Sequence, residues 1–453
     1  MKNRKKPLFF SLSILLIAAL MTACSSNNTP ASSGAASASS SANTGSNANK
    51  EPITLTVWGV PSLTTINDTT KTPEEIANSQ SVYDFIQSEM EKKFPGIKID
   101  YVDKGWGDDL RQNLMISVMA GNPPDVSWGE DFIPEFARLN ALSEVPSDIA
   151  KDLAEGPMAA AKLDGKDYAV SGMTGIFSLM YNKDVMTKAG LDPNTPPKTW
   201  SEWIDMSNKI TAAGKGEYFG SVVQTAGLGG AFRIVPFMRQ LGGDLTASDG
   251  STITFDTPEN AKALEFLKEL SKSTPTGSTA LNDEGALYNM VHHGKAAFGV
   301  AGPWHITWAA TEKCNCGYAP LPVPDEGGKR ANVIVGNTLW FALKQSKHQE
   351  EAMEFLRIIA SEQYQEKFAL ISSRMPSNKL AAANPELIKA VPDLAVFGEI
   401  VANEEAGPLP VFTKNGPKVW EAWYKAQEGI LIADKPIAAS LAEAQKTAEG
   451  LLK

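Results

Sequence analysis

Apolar and polar residues alternate with a period of two over Ile53-Thr-Leu-Thr-Val-Trp-Gly59, which predicts a strand that stops at Gly59 and Pro61. The period lengthens over Ser81 to Phe94, where Val82, Phe85, Ile86 and Met90 share one face of a helix closed by Pro95-Gly96. Ile97-Lys-Ile-Asp-Tyr101 returns to strand, Leu110, Leu114 and Val118 mark a helix over 108–120, and Asp125-Val-Ser-Trp128 follows the breaker Gly121-Asn-Pro-Pro124. Strand and helix in this alternation mean right-handed crossovers and a mainly parallel sheet. The rhythm recurs downstream. Leu179-Met-Tyr181 is strand-like, and Thr199-Trp-Ser-Glu202 is a capping box for a helix running to Ala213. Thr257-Pro258 opens another helix, with Leu264, Leu267 and Leu270 inward, and Ser346 to Gln349 opens a third, carrying Ala352, Phe355, Leu356 and Ile359. A second α/β unit is expected, without a fixed-period repeat.

The start of the chain follows different rules. A basic stretch, Lys2 to Lys6, precedes the apolar run Leu8 to Leu20, about 13 residues and too short for a permanent bilayer span. It closes on Met21-Thr-Ala-Cys24-Ser25, which resembles the bacterial lipobox and implies acylation of Cys24 after cleavage; a plain secretory signal with an incidental cysteine is the alternative. Residues 25–49 are almost entirely Ser, Ala, Asn, Gly and Thr, a composition that buries nothing. The reading is a signal peptide over 1–24, a flexible linker over 25–50 and a tethered body on the outer face of the cell membrane, touching the bilayer through its lipid alone. No later run is long and apolar enough to cross a membrane.

Charge narrows the partners. The chain of 453 residues has a net charge of −10, and the leader takes four positive charges with it, which argues against nucleic acid as a partner. Cys314 and Cys316 remain after the leader, and a disulfide or two free thiols are favoured over a metal site, because His292, His293, His305 and His348 form no ligand cluster with them. His292-His293 reads as an exposed pair that chelates poorly. No phosphate-binding Walker loop, no Gly-x-Ser-x-Gly elbow and no His-Glu-x-x-His helix is present, so no cofactor, metal or catalytic residue is assigned.

A succession of short motifs then resembles the extracellular solute-binding proteins of ABC sugar importers, the group that includes the maltose-binding protein. They run in order as Leu55-Thr-Val-Trp-Gly59, Gly121-Asn-Pro-Pro-Asp-Val126, Tyr168-Ala-Val170 with Met180-Tyr-Asn-Lys-Asp184, Ala189-Gly-Leu191 with Pro197-Lys-Thr-Trp200, Gly294-Lys-Ala-Ala-Phe298, Gly302-Pro-Trp304, Ala319-Pro-Leu-Pro322, and Gly336-Asn337. The resemblance implies an α/β, two-lobed periplasmic-binding-protein-like fold with crossing hinge strands and a ligand cleft between the lobes. It puts residues 51–172 and 318–345 in the first lobe and 173–317 and 346–453 in the second, with crossings near 170–174, 318–321 and 343–347. It also implies a monomer that delivers its ligand to the transmembrane subunits of an ABC permease, whose ATPase is a separate chain.

A sugar site stacks aromatic rings on the apolar sugar faces and turns Asp, Glu, Asn and Arg toward the hydroxyls. Trp58, Trp128, Trp304 and Trp420 fall where such rings are expected, and each has core packing as its alternative. The Gly302-Pro303 turn is expected to expose the Trp304 ring. Glu130 and Asp131 are candidate hydroxyl acceptors or solvated turn carboxylates. Arg374, in the loop Ser372 to Pro376, is a candidate donor or a surface ion pair, and Asn337 is a ligand contact or part of a simple turn. Trp200 and Trp203 are assigned to the core. The function expected is capture of a sugar, an oligosaccharide by preference. An anchored carbohydrate-active hydrolase, with two opposed carboxylates, and a receptor for a non-sugar solute are the alternatives.

Overall fold

The computed structural model of the chain describes residues 53–453, apart from Asp131, Asp249 and Thr413. The leader, Cys24 and the Ser/Ala-rich linker lie outside the described residues, as does Asp131. No described helix is long and apolar enough to cross a membrane.

Two sheets carry the body. In the first, the strand Thr54–Trp58 lies between Lys98–Val102 and Val126–Gly129, parallel to both. The long strand Ala331–Ala342 continues it antiparallel to Val126–Gly129, and its opening residues run parallel to Glu405–Pro408. Val170–Ile176 lies along the other side of the long strand, also antiparallel. The second sheet has four strands in the order Cys316–Ala319, Ser178–Asn182, Ala296–Ala301 and Phe219–Ser221, of which only the last pair is parallel. Both sheets are thus mixed rather than mainly parallel. A strand entering from the far side of the molecule meets its neighbours head to tail, which local strand-helix alternation cannot show.

The helices form where apolar spacing and caps agree. Pro73–Lys93 begins eight residues before the expected start at Ser81. Thr72 accepts from the Glu75 amide at 3.2 Å while Glu75 accepts from the Thr72 amide at 2.8 Å, a reciprocal cap on a polar first turn. Trp200–Gly214 starts at Thr199 as expected, although the Glu202 carboxylate takes the Lys198 amide at 2.7 Å instead of closing the box on Thr199. Trp200 and Trp203 are buried, with Trp200 stacked on Phe266 at 4.2 Å.

Packing redraws the expected lobe boundaries. Leu55, Val57, Val126, Val170 and Met173 share one core with Leu339–Leu343 and with Phe355, Leu356, Ile359, Tyr364 and Phe368, so the helices Gln349–Ala360 and Glu362–Ser372 belong with the first sheet. The expected division put everything from residue 346 onward with the second sheet. Conversely Tyr318, Ala319, Leu321, Val333 and Val335 pack into the cores of the second sheet, where the division had assigned 318–345 to the first. The physical reason lies within single strands. Val170–Ile176 and Ala331–Ala342 each begin in one core and end in another, so a boundary falls inside an element, and periodicity shows no break there.

The crossings meet in a buried polar knot. The pairing of the two long strands shifts register between Val335 and Leu339, around Gly336 at φ +60°. Asn337 donates through Nδ2 to the Pro157 carbonyl at 2.6 Å, and its Oδ1 accepts from Ser171 Oγ. Gln365 donates to the Ser171 carbonyl at 2.8 Å and accepts from the Ser377 and Asn378 amides at 2.7 Å each. Thr174 and Met375 exchange backbone hydrogen bonds, adding a third crossing segment beside the first two. Away from this junction, Cys314 and Cys316 are joined by a disulfide, resolving the pair that the sequence leaves open.

Candidate functional site

Three glycines seat one indole. Trp304 opens the helix Trp304–Thr311, and its ring folds back over the Gly302-Pro303 turn instead of standing out from it. A Cβ built at Gly302 would fall 2.1 Å from the ring, one at Gly336 2.8 Å, and one at Gly175 3.1 Å. Only glycine admits the ring here, and Trp304 is left 8% exposed. The Arg374 guanidinium covers its face, with Cζ 4.8 Å from the ring centroid, and Nη1 donates to the Gly336 carbonyl at 2.9 Å. Arg374 Nε is buried without a partner among the described residues, and burial lowers this guanidinium to about 10, against the pull of Glu130 and Glu284.

Behind the indole stands a charge network. Glu284, in the first turn of the helix Glu284–His292, accepts from Trp304 Nε1 at 3.0 Å, from His305 Nε2 at 3.0 Å and from Arg233. Arg233 is buried, donates through Nε to Tyr288 at 3.1 Å and to the Val300 carbonyl at 3.2 Å, and lies over the Phe177 and Tyr288 rings. Burial opposes ionisation of Glu284, but the Arg233 charge and the His305 and Trp304 hydrogen bonds outweigh it and hold the carboxyl well below its ordinary range. Burial pushes the His305 imidazole down despite Glu284, so Nε2 carries the proton that the carboxylate accepts.

Beyond the knot the two cores leave a cavity of about 410 Å³. Phe132, Pro134 and Arg138 line it from the first core's side, and Pro410, Phe412, Lys414 and Trp420 from the second's. Trp420 packs against Phe232 at 5.0 Å and Phe412 at 5.8 Å. A smaller recess of about 20 Å³, lined by Glu130, Asn337, Ile334 and Leu409, shares Val411 with the larger one. Glu130 Oε1 accepts from the Asn337 amide at 3.3 Å, so this carboxylate borders both the recess and the knot.

Residues 72–366 match the bacterial extracellular solute-binding protein family. The chain belongs to that family. Among curated relatives, the galactooligosaccharide-binding protein of Bacillus subtilis is 24% identical over 368 residues, covering 79% of this chain and 83% of its own. The arabinooligosaccharide-binding protein of the same organism is 28% identical over 285 residues, 59% of this chain and 63% of its own. Among solved structures, an ABC transporter solute-binding protein of Thermotoga lettingae bound with α-D-tagatose superposes with a TM-score of 0.74 at 22% identity, covering 88% of this chain and 100% of its own. Maltose-bound MalE3 of Thermotoga maritima gives 0.73 at 23% identity, with 88% and 100% coverage. The two-lobed α/β fold of the extracellular solute-binding proteins is therefore the fold of this chain.

Within that fold the expected site residues separate into three groups. Glu130, Trp304, Asn337 and Arg374 converge on Gly336, and Trp420 reaches the larger cavity. Trp58 and Trp128 reach neither. Trp58 is half-buried against the first core beneath the Lys104 ammonium, 5.0 Å from its ring, and Trp128 is wedged between Trp106 at 4.9 Å and Trp340 at 5.2 Å. The Asn337 side chain has its hydrogen bonds committed within the knot. Asp131 and Cys24 lie outside the described residues. His292 is buried rather than exposed, while His293 turns outward to Glu312 at 2.7 Å. Phe132, Arg138, Lys414, Arg233 and Glu284 had no sequence signal of their own.

Proposed function

We propose that the chain is the substrate-binding component of an ABC importer, lipid-anchored at Cys24 on the outer face of the cell membrane, which captures a saccharide by closing two lobes and presents it to the permease. The lobes are residues 53–175 with 337–372, and 176–335 with 379–453, hinged where the three crossing segments meet. One observation supports this most: a single cavity, within the about 300–1,000 Å³ of ligand pockets, takes aromatic walls from both cores. A sugar there touches both lobes only when they close, so its differential affinity shifts the population toward the closed state. The names of the relatives agree with an oligosaccharide as ligand.

Hydrolysis fits less well. Of the acids lining the two recesses, Glu130 accepts from the Asn337 backbone amide and Glu135 is paired with Arg111 at 3.2 Å, so neither stands as an uncommitted member of an opposed carboxylate pair. The test joins small-angle scattering with an assay for new reducing ends, over a panel of oligosaccharides. The reading expects a more compact profile with one member of the panel and no cleavage. Turnover at enzymatic rates, or an unchanged profile and unchanged tryptophan emission with every sugar, would overturn it.

A further inference from the structure

The charges lining the large cavity do not cancel. Its charged residues are Glu135, Arg138 and Lys414, and Glu135 is neutralised by Arg111 at 3.2 Å. Arg138 ends the short helix Ile133–Arg138 on the first core's side, and Lys414 precedes the helix Gly416–Leu431 on the other. Both are exposed, and neither has an ion pair or side-chain hydrogen bond among the described residues. Two unpaired cations thus face one volume from opposite walls, Arg138 beside Phe132 on one and Lys414 beside Phe412 and Trp420 on the other.

We infer that the preferred ligand is an anionic saccharide, one whose uronate carboxylate bridges Arg138 and Lys414 while its sugar rings lie on Phe132, Phe412 and Trp420. The inference rests on the saccharide-capture reading and narrows it. Lobe closure brings the two walls together, so like charges on them oppose closing when the cavity holds only water. A carboxylate between them converts that repulsion into two charge-assisted contacts, with the guanidinium fork matching its two oxygens. The gain exists only when both walls are near, so an anion favours the closed state more than a neutral sugar of the same size does. A neutral oligosaccharide offers the two cations hydroxyl acceptors but no counter-charge, and neutral contacts are weaker than charge-assisted ones.

The test is calorimetric titration of the mature chain with paired di- to tetrasaccharides, galacturonate against galactose, glucuronate against glucose and mannuronate against mannose. The expected result is at least tenfold tighter binding of one uronate series than of its neutral counterpart, weakening several-fold as salt rises while neutral binding holds. In the double variant R138Q/K414Q the ratio should fall toward one, and circular dichroism of these exposed substitutions should match the parent. Neutral sugars that bind and close the protein as well as uronates, or a preference that survives the double variant, would overturn the inference and leave saccharide capture standing. Failure of both series to bind would sink the capture reading itself, and this inference with it.

Discussion

The network behind Trp304 makes a quantitative claim. Replacing Glu284 by alanine strips the buried Arg233 of its counter-charge and leaves Trp304 Nε1 and His305 Nε2 without their acceptor. Removing one partner of a buried ion pair costs about 3–5 kcal/mol. The Glu284 side chain is 30% exposed against 7% for Arg233, so water partly replaces it, and the expected loss is about 3 kcal/mol, the low end of that range. Glu284→Gln keeps an oxygen acceptor of the same shape and loses the charge alone, for about 1.5 kcal/mol. Urea unfolding followed by far-ultraviolet dichroism measures both, with the midpoint falling and the slope unchanged. Near-ultraviolet dichroism should lose tryptophan signal in the alanine variant and keep most of it in the glutamine variant. Because the folded Glu284 carboxyl is held far below its unfolded value, its contribution is fully present above about pH 4.5 and fades as pH falls further, so the gap between parent and variants should be constant above that pH and narrow progressively below it. A cycle with Arg233→Met isolates the pair: Glu284→Ala should cost under about 1 kcal/mol in that background. Additive costs, or a single-variant loss below about 0.5 kcal/mol, would refute the coupling.

Two further outcomes follow from the same region. Gly336→Ala forces an L residue to φ +60° and sets a Cβ 2.8 Å from Arg374 Nη1 and from the Trp304 ring, so a loss of about 2 kcal/mol is expected, with a red-shifted tryptophan emission as the ring is displaced. His292, buried with Nε2 unpartnered among the described residues, is pushed down to about 4 by burial; between pH 6.5 and 4 the unfolded chain takes up a proton that the folded one refuses, so stability falls with acidity there. Comparing urea midpoints across that interval should show a steeper decline for the parent than for His292→Gln, and parallel curves would contradict the assignment.

Local periodicity made much of the architecture legible and left its assembly hidden. The strand at Thr54–Trp58 and the helices at Pro258–Ser271 and Gln349–Ala360 show their buried faces as spacing, because each packs one side against a core. The first two turns of Pro73–Lys93 have no such face, and only the Thr72 to Glu75 cap announces them. Trp304 was legible as a site candidate from its Gly-Pro turn. Its burial was not, because the space it fills is made by Gly175 and Gly336 from two other strands. Trp128 illustrates the converse: it stands at a strand end like a cleft residue, yet Trp340 and Trp106, distant in sequence, enclose it. Arg138 and Lys414 are invisible as a pair for the same reason, since only folding brings them to one cavity.

The long strand Ala331–Ala342 has a consequence for biogenesis. Leu339 to Ala342 are the partners of Gly129 to Val126, so nearly half the chain separates a central pairing of the first sheet. Without the residues beyond 330, the first sheet has only three parallel strands to pair, with an open inner edge at Val126–Gly129 and an apolar surface that lacks Phe355, Leu356 and Ile359. Pairings this distant are slow to form and leave the incomplete half prone to sticking meanwhile. The amino-terminal half of this molecule therefore matures late, after most of the carboxy-terminal half has been made, and a truncated product ending before Ala342 is a candidate for holdase capture or degradation rather than a stable fragment.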